Sequence, residues 1–272
     1  MNKIFRNLTA LSALAATLSM TGATATAGVG DLLVAPTRII LTDGRGTQVM
    51  LNNIGDEEAT YRISAELRRM TSDGKLEEVA SPSEAERMAQ EMVFFAPRRV
   101  TLPPNQPQAV RIAARAPQGL PDGEYRVHLL FRAVPKPRPI EERIQGEGLS
   151  FKLIPVYGVT IPVIVRFGQL EVQAGISGAR VDSSGDKAIL VDVTRQGDRS
   201  VYGDIEITKP GEDEPIADIR GVALYTEVAQ RTIRVPVRGD YQGSLTGPVR
   251  VTYRARPEEG GTLIASADTV LQ

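Results

Sequence analysis

The chain contains no cysteine and no tryptophan, and one histidine among its 272 residues. Without cysteine it can form no disulfide, thiol nucleophile or cysteine-ligated metal site, so burial of apolar surface must stabilise the fold. The single histidine, His128, has no second histidine or cysteine with which to complete a zinc site. It lies between Val127 and Leu129 in an alternating segment, where we expect a partly exposed residue of a sheet.

Other signatures of enzymes are also missing from the sequence. No G-x-S-x-G nucleophile elbow accompanies the histidine, and the glycine-rich pieces match neither a phosphate loop nor a dinucleotide fingerprint. The acidic clusters DEE, GEDE and PEE lack the ordered ligand spacing of an EF-hand. A formal net charge of −1 gives no footprint for nucleic acid. We therefore predict a protein that is not an enzyme and that binds no metal, cofactor or nucleic acid.

The first 27 residues have the pattern of a secretory signal peptide. Lys3 and Arg6 precede an uncharged, mostly apolar stretch at residues 8–20, and small residues follow up to Ala27. The apolar stretch is too short to span a bilayer, and no later run reaches the roughly 18 apolar residues that a spanning helix needs. We predict cleavage after Ala27 and export of a protein that is not inserted in the membrane.

Most of the remaining chain consists of short alternating segments separated by turns, the pattern of β-strands. Its 18 prolines and 25 glycines occur at short intervals between these segments. Residues 81–92, SPSEAERMAQEM, are an exception because their apolar residues recur at helical spacing. Ser81 with Glu84 predicts a capping box, and Pro82 is suited to the first helical position.

The alternating segments fall into two sets, with a boundary near Gly168. The second set has its own turn signals, so we predict a first domain at residues 28–167 and a second at residues 168–272. The pattern predicts an all-β protein with two immunoglobulin-like β-sandwich domains in tandem, each of about seven strands. Tyr125, which follows the turn PDGE, is placed as the tyrosine corner of such a sandwich.

The segment LSFKLIPVYGVTIPVIVRF, residues 149–167, is unusually long for a strand. At about 3.3 Å per residue it would extend roughly 60 Å, beyond the reach of a sheet in an ordinary domain. One interpretation is a long core strand with a bend at Pro162. The other is a strand whose outer part pairs with another chain, because an apolar edge left uncovered promotes aggregation. The charged loop at residues 136–150, rich in proline and glycine, favours the second interpretation.

An ordered set of phrases in residues 33–166 resembles the periplasmic pilus-assembly chaperones of the PapD type. The phrases are PTRIIL, QVMLNNIGDEEATYRI, FFAPRRVTLPPNQPQAVRI, GEYRVHLLFRAVP and PVIVR. The resemblance implies two immunoglobulin-like domains set at an angle, with a cleft between them. It also implies a periplasmic chaperone that lends a strand to pilus or surface-fibre subunits, in donor-strand complementation, and delivers them to an outer-membrane usher.

The resemblance further implies which residues bind the subunit. The donor strand would comprise Phe151, Leu153, Ile154, Pro155, Val156, Tyr157 and Val159. Arg38 of PTRIIL would grip the subunit's terminal carboxylate, because a guanidinium binds a carboxylate through two parallel hydrogen bonds. The alternative for Arg38 is an arginine that caps a strand end or pairs with a neighbouring acid.

The family's anchor also has a second basic residue, whose position falls on Pro162 in this sequence. Lys152 or Arg45 could substitute for it. Otherwise Arg38 would act with backbone N–H groups, or the subunit would be anchored differently.

Glu124 and Arg166 match the acid and the arginine of an ion-pair network at the family's domain junction. A buried network would orient the domains, since removing one member leaves a charge unpaired at a cost of several kcal/mol. The alternative is two surface charges that contribute about 0 to 1 kcal/mol. Asp240 is a guess for a third, acidic member in the second domain.

The alternative function is that of an exported structural β-sandwich protein, such as a surface-fibre subunit or an adhesin. A subunit would normally be a single incomplete sandwich with an N-terminal extension, whereas this chain carries two complete patterns. The sequence leaves open whether unloaded copies associate with each other.

Overall fold

The computed structural model describes residues 31–42, 45–136, 156–182, 184–212 and 214–272. Nearly every element is a β-strand. The strands of the first domain are β1 (Leu32–Ala35), β2 (Ile39–Thr42), β3 (Thr47–Asn53), β4 (Ala59–Glu66), β5 (Arg68–Met70), β6 (Leu76–Glu78), β7 (Val93–Ala96), β8 (Arg99–Leu102), β9 (Pro107–Ala114), β10 (Gly123–Val134) and β11 (Gly158–Phe167). Those of the second domain are β12 (Val172–Asp182), β13 (Ala188–Gly197), β14 (Val201–Thr208), β15 (Ala217–Leu224), β16 (Gln230–Pro236), β17 (Gly247–Ala255) and β18 (Leu263–Leu271).

The first domain is a sandwich of two sheets with a shared core. One sheet has the order β1-β3-β9-β7 and the other has the order β2-β11-β10-β4-β8, while β5 and β6 form a separate hairpin. Alternate side chains of both sheets point inward, and the largest fully buried ones include Tyr61, Leu129, Phe131 and Ile161 of one sheet and Leu51 and Ile112 of the other. The hydroxyl of Tyr125 donates to the carbonyl of Pro121 at 2.8 Å, which forms the predicted tyrosine corner.

The chain changes sheet soon after it enters the first domain. The alternating segment VAPTRIILT is interrupted at Pro36, so that β1 belongs to one sheet and β2 to the other. A proline cannot donate to a strand ladder, which explains why a pattern that looks like one strand forms two. β2 runs parallel to β11, with Ile39 opposite Val163. Arg38 therefore lies immediately before the start of this pairing.

The predicted helix is present as α1 (Glu84–Met92), but its predicted cap is wrong by two residues. Ser83 is the N-cap, and its hydroxyl accepts from the amide of Glu86, whose carboxylate accepts from the amide of Ser83. The pattern S-x-x-E occurs twice in SPSEAE, and the structure uses the second occurrence, which leaves Pro82 outside the helix.

The second domain is a smaller sandwich with a core of its own. Its sheets have the orders β12-β13-β16 and β15-β14-β17-β18, and its fully buried residues include Ile189, Ile205 and Tyr253. The segment VALYTEVAQRTIRVPV is divided between β15 and β16, which lie in different sheets. Over the described part of the chain, no helix combines the length and apolarity needed to cross a membrane.

Gly168 connects the two domains in a conformation that favours glycine. Its φ is +79°, and a Cβ atom added there would lie 1.9 Å from Cγ of Asp122. A side chain at this position would therefore strain the backbone and collide with the loop before β10.

We expect Gly168→Ala to lower the free energy of unfolding by more than Gly119→Ala, as measured by urea denaturation. Gly119 has a similar φ of +76°, but nothing lies within 4 Å of an added Cβ. The control should therefore show only the conformational cost of about 1 to 2 kcal/mol. Equal losses for the two variants would show that the contact with Asp122 imposes no constraint.

Candidate functional site at the domain junction

Strand β11 has one edge that is only partly covered. On one side it pairs with β10 along its whole length, from Gly158 opposite Arg132 to Phe167 opposite Gly123, without a register shift. On the other side β2 covers only Val163–Arg166. No described strand pairs with the part from Gly158 to Pro162 on that side. We call this part the open edge.

The backbone groups that the open edge presents follow from the alternation of an antiparallel ladder. The amide of Ala133 donates to the carbonyl of Tyr157 at 2.9 Å, so Tyr157 faces β10. Successive residues of a strand point their backbone groups to opposite sides. Gly158 and Thr160 therefore direct both N–H and C=O toward the open edge. Pro162 faces the same way, but it has no N–H, and the register of β2 places its carbonyl beside the amide of Ile39.

The two faces of β11 are buried against different parts of the molecule. Ile161, Val163 and Val165 lie in the core of the first domain, and Val159 packs against that core. Ile164 lies on the opposite face, in an apolar cluster that joins the two domains and contains Met70, Ala223, Tyr225 and Val228. The described part of β11 thus belongs to its own domain and to the junction.

Only the end of the predicted donor strand falls within the described residues. Phe151, Leu153, Ile154 and Pro155 lie outside them, as does Lys152. Val156 and Tyr157 precede β11 and are 41% and 55% exposed. Val159, which the resemblance implied as a donor residue, is partly buried against its own core.

Arg38 lies between the two domains and pairs with an acid of the second domain. Its Nε donates to Oε1 of Glu259 at 2.8 Å, and its side chain is only 8% exposed. Nη1 and Nη2 make longer contacts of 3.5 and 3.4 Å with the hydroxyls of Tyr225 and Ser200. The guanidinium also lies 4.5 Å from the ring centre of Tyr202. Arg38 is thus engaged as the alternative interpretation expected, by a neighbouring acid.

His128 is the neighbour of Arg38 across Pro162, and it is buried. β11 places Pro162 opposite His128, and it places Val163 opposite Ile39, the residue that follows Arg38. His128 is 1% exposed, so the prediction of partial exposure is wrong. The reason is that Tyr225 of the second domain packs edge-to-face against the imidazole, with ring centres 6.5 Å apart.

The imidazole of His128 is held in its neutral form. Neither ring nitrogen has a hydrogen-bond partner among the described residues. Burial, together with the nearby charges of Arg126, Arg68 and Arg38, lowers the pKa of His128 from 6.5 to about 3. Pro162, the position that the resemblance assigns to the second basic anchor, therefore lies opposite a neutral side chain. Arg45, one of the residues that could substitute, is exposed.

Glu124 and Arg166 form a buried ion pair at the junction. Nε of Arg166 lies 3.0 Å from Oε2 of Glu124, whose side chain is 1% exposed. The same oxygen accepts from the amide and the hydroxyl of Ser200 at 3.1 and 2.9 Å. Nη2 of Arg166 donates to the carbonyl of Ser200 at 3.3 Å. Ser200 is therefore the partner contributed by the second domain.

Asp240 is not part of this network, and the guess that it would be is wrong. It pairs instead with Arg238 at 2.8 Å in an exposed position. The pair of Glu124 and Arg166 needs no third charged member, since the two charges already compensate each other and Ser200 supplies neutral donors.

Besides the pair of Arg38 and Glu259, an ion pair between Arg126 and Glu227 joins the two domains, and it was not predicted. Arg126 donates to both carboxylate oxygens of Glu227 at 2.6 and 3.3 Å, and its guanidinium lies 3.6 Å from the ring centre of Tyr225. Oε1 of Glu227 also accepts from the amide of Met70 at 2.7 Å. No local pattern identifies Glu227, because it lies in the turn between β15 and β16 and its partners Arg126 and Met70 are 101 and 157 positions away.

Arg195 orders the loops that carry these partners. It is buried and donates to the carbonyls of Gly197, Arg199, Thr226 and Val228. Two of these carbonyls precede Ser200 and two flank Glu227, so one guanidinium fixes both loops that meet the first domain.

These features define a two-domain β-sandwich protein with a partly uncovered strand edge beside an arginine-containing cleft. No family model matches the chain, and no curated protein matches it either. Solved structures of chaperones are similar to it. The E. coli chaperone DraB has 14% identity and a TM-score of 0.46, with 90% of this chain and 98% of that chain covered.

Two further structures show the same level of similarity. The Pseudomonas aeruginosa CupB2 chaperone has 16% identity and a TM-score of 0.47, with 88% of this chain and 100% of that chain covered. A chain of the complex between Salmonella enterica SafA pilin and the SafB chaperone has 18% identity and a TM-score of 0.44, with 89% and 96% covered. At these scores and identities the likeness carries no functional argument by itself.

Glu124→Gln should destabilise the protein by about 3 kcal/mol, because it leaves the charge of Arg166 buried without compensation. Asp240→Asn is the matched control, since it removes one charge of an exposed pair and should change the free energy of unfolding by less than about 1 kcal/mol. Urea denaturation of both variants measures the difference. Similar small losses would mean that the buried pair is not required for stability.

His128 makes stability depend on pH. Its pKa is about 3 in the folded chain and near 6.5 when exposed, so the unfolded chain binds more protons between these values. Stability should therefore fall as the pH is lowered from 6.5 toward 3, by about 1.4 kcal/mol per pH unit at most. His128→Phe, which keeps an edge-to-face partner for Tyr225, should flatten this part of the profile. An unchanged slope in the variant would contradict the assignment to His128.

Proposed function

We propose that this protein is a periplasmic chaperone that binds pilus or fimbrial subunits by donor-strand complementation and delivers them to an outer-membrane usher. The observation that carries the proposal is the open edge of β11, which ends beside Arg38. Periplasmic location and delivery to an usher follow from the predicted signal peptide and from the resemblance of the phrases in residues 33–166.

A strand added to the open edge would use the unpaired backbone groups of Gly158 and Thr160. Main-chain hydrogen bonds supply affinity in this mode of recognition, and alternate side chains fill grooves in the partner. Val156 and Tyr157, which are exposed just before β11, lie where such a groove would begin. The predicted donor residues Phe151 to Pro155 would extend the contact along the same strand.

The position of β2 and the charge of Arg38 together favour one direction for the added strand. β2 occupies the same edge of β11, runs parallel to it and begins at Ile39 opposite Val163. A subunit strand that also runs parallel to β11 would therefore end near Pro162, next to Arg38. Its terminal carboxylate would meet the guanidinium, whereas an antiparallel strand would bring an amino terminus to the same place. The geometry favours a parallel strand that ends in a carboxylate.

At the end of the open edge, Arg38 can supply the hydrogen-bond donors that Pro162 lacks. Pro162 has no N–H to donate at the end of the open edge, so the ladder cannot supply a donor there. The guanidinium of Arg38 can donate two parallel hydrogen bonds to a carboxylate in the same region. A charge-assisted contact of this kind would fix the register of the subunit.

Capture of a subunit should depend on Arg38. In coexpression with candidate pilus subunits, we expect one-to-one complexes with the wild type and at least tenfold weaker capture by Arg38→Ala, because truncating one partner of a buried charge pair costs about 2 kcal/mol or more. Arg99→Ala, which truncates an exposed arginine of β8, is the control and should capture normally. Thermal melts establish that the variants are folded. A wild type that captures no subunit would remove the proposal.

Hydrogen exchange tests the open edge directly. In the free chain the amide of Thr160 should exchange much faster than those of its neighbours Val159 and Ile161, which face β10. Capture of a subunit should slow exchange at Thr160 by about 100-fold or more, because its amide becomes hydrogen-bonded within a sheet. Strong protection of Thr160 in the free chain would show that the edge is already occupied.

A further inference from the structure

We propose that Glu259 is a resident carboxylate that occupies Arg38 until the terminal carboxylate of a subunit displaces it. This inference rests on the proposed function, since it concerns the same guanidinium. It assigns to the second domain a residue that competes with the subunit and so sets the affinity of the cleft for chains that end in a carboxylate.

The surroundings of Arg38 leave little room for two carboxylates at once. Its side chain is 8% exposed, and Tyr202 and Tyr225 lie against it with ring centres 4.5 and 5.7 Å from the guanidinium carbon. Two carboxylates on one buried guanidinium would also repel each other. Binding of a subunit's carboxylate and binding of Glu259 to Arg38 are therefore mutually exclusive.

Glu259 is held more weakly than the other carboxylate of the junction. Glu124 is 1% exposed and accepts hydrogen bonds from Arg166 and from two groups of Ser200. Among the described residues the carboxylate of Glu259 accepts one hydrogen bond, from Arg38, and its side chain is 22% exposed. Solvent therefore reaches the carboxylate of Glu259.

The backbone around Glu259 is also suited to a movable side chain. Glu259 is the last residue of a short 3-10 helix, Pro257–Glu259, in the connection between β17 and β18. Gly260 and Gly261 follow with φ of +97° and +63°, a conformation that glycine adopts without strain. Rotation of the glutamate away from Arg38 requires no change in either flanking strand.

Exchange of the two carboxylates would leave the charge of Arg38 compensated throughout. The ion pair between the domains is replaced by one between the chaperone and the subunit, and Glu259 turns to solvent. Binding is then weakened by the fraction of molecules in which Glu259 occupies the guanidinium. Removing the charge of Glu259 should strengthen binding of a free carboxylate and leave binding of an amide unchanged.

The test uses a fluorescein-labelled peptide of alternating threonine and valine, prepared with a free C-terminal carboxylate and as its C-terminal amide. Fluorescence anisotropy should show that Glu259→Gln binds the free acid about three- to tenfold more tightly than the wild type, with no difference for the amide. Glu258→Gln is the matched control, because Glu258 lies in the same turn, is 71% exposed and contacts Arg256. It should behave like the wild type, and Arg38→Ala should bind acid and amide equally.

An equal affinity of the wild type and Glu259→Gln for the free acid would overturn the inference. So would equal strengthening by Glu258→Gln, because a general change of charge would then explain the effect. Capture of subunits separates this inference from the function on which it rests. If capture depends on Arg38 while Glu259→Gln captures no better than the wild type, the role of Glu259 is contradicted and the chaperone function is supported. If neither the wild type nor any variant captures a subunit, both proposals are contradicted.

Discussion

The point at which β2 begins to pair with β11 determines how much of that edge of β11 is left without a partner among the described residues. Ile39 meets Val163, and everything before that point on the same edge of β11 has no described partner. Had β2 begun several residues earlier, the edge would be covered and Arg38 would lie inside a strand. The interruption at Pro36 prevents this, because it moves the preceding residues into the opposite sheet. One break in a short alternating segment thus creates both a strand edge and an arginine at its end.

The position of Arg38 also depends on the junction between the two domains. Tyr225 lies at its centre, in contact with the guanidinium groups of Arg38 and Arg126 and with the ring of His128. Burying cations is costly unless each has a partner, and here Glu259 and Glu227 provide the partners from the second domain. The charges of Arg38, Arg126 and Arg166 are therefore compensated by acids of the chain itself. Under the proposed function, a ligand that binds Arg38 would take over this compensating role.

The sequence predicts the features that depend on local pattern. The alternation of strands, the tyrosine corner at Tyr125 and the helix near residue 84 can be read from short segments, and the structure contains all three. Of the long apolar segment at residues 149–167, the described part forms β11 (Gly158–Phe167), and most of the predicted donor strand lies outside the described residues. The position of the helix cap is ambiguous, because two overlapping S-x-x-E patterns fit the same stretch.

The features that the sequence does not predict depend on contacts between distant residues. The burial of His128 is due to Tyr225, and the second-domain partners of Glu124, Arg126 and Arg38 lie in connections between strands. Turn residues have no periodicity that would reveal which strand they face. Glu259 in particular belongs to a cluster, PEE, that is typical of solvated turns, and only the packing of the domains shows that one of its acids enters the cleft.

The missing amide of Pro162 has a consequence for chains of different lengths. Paired strands slide past each other in steps of two residues, and a polar edge alone does not select one step. At Pro162 a partner would find no N–H donor, and one step farther it would collide with β2. The partner therefore cannot shift its register in that direction. Its last residue then fixes which of its other residues pair with β11. Subunits with unrelated amino-terminal regions would then be aligned alike.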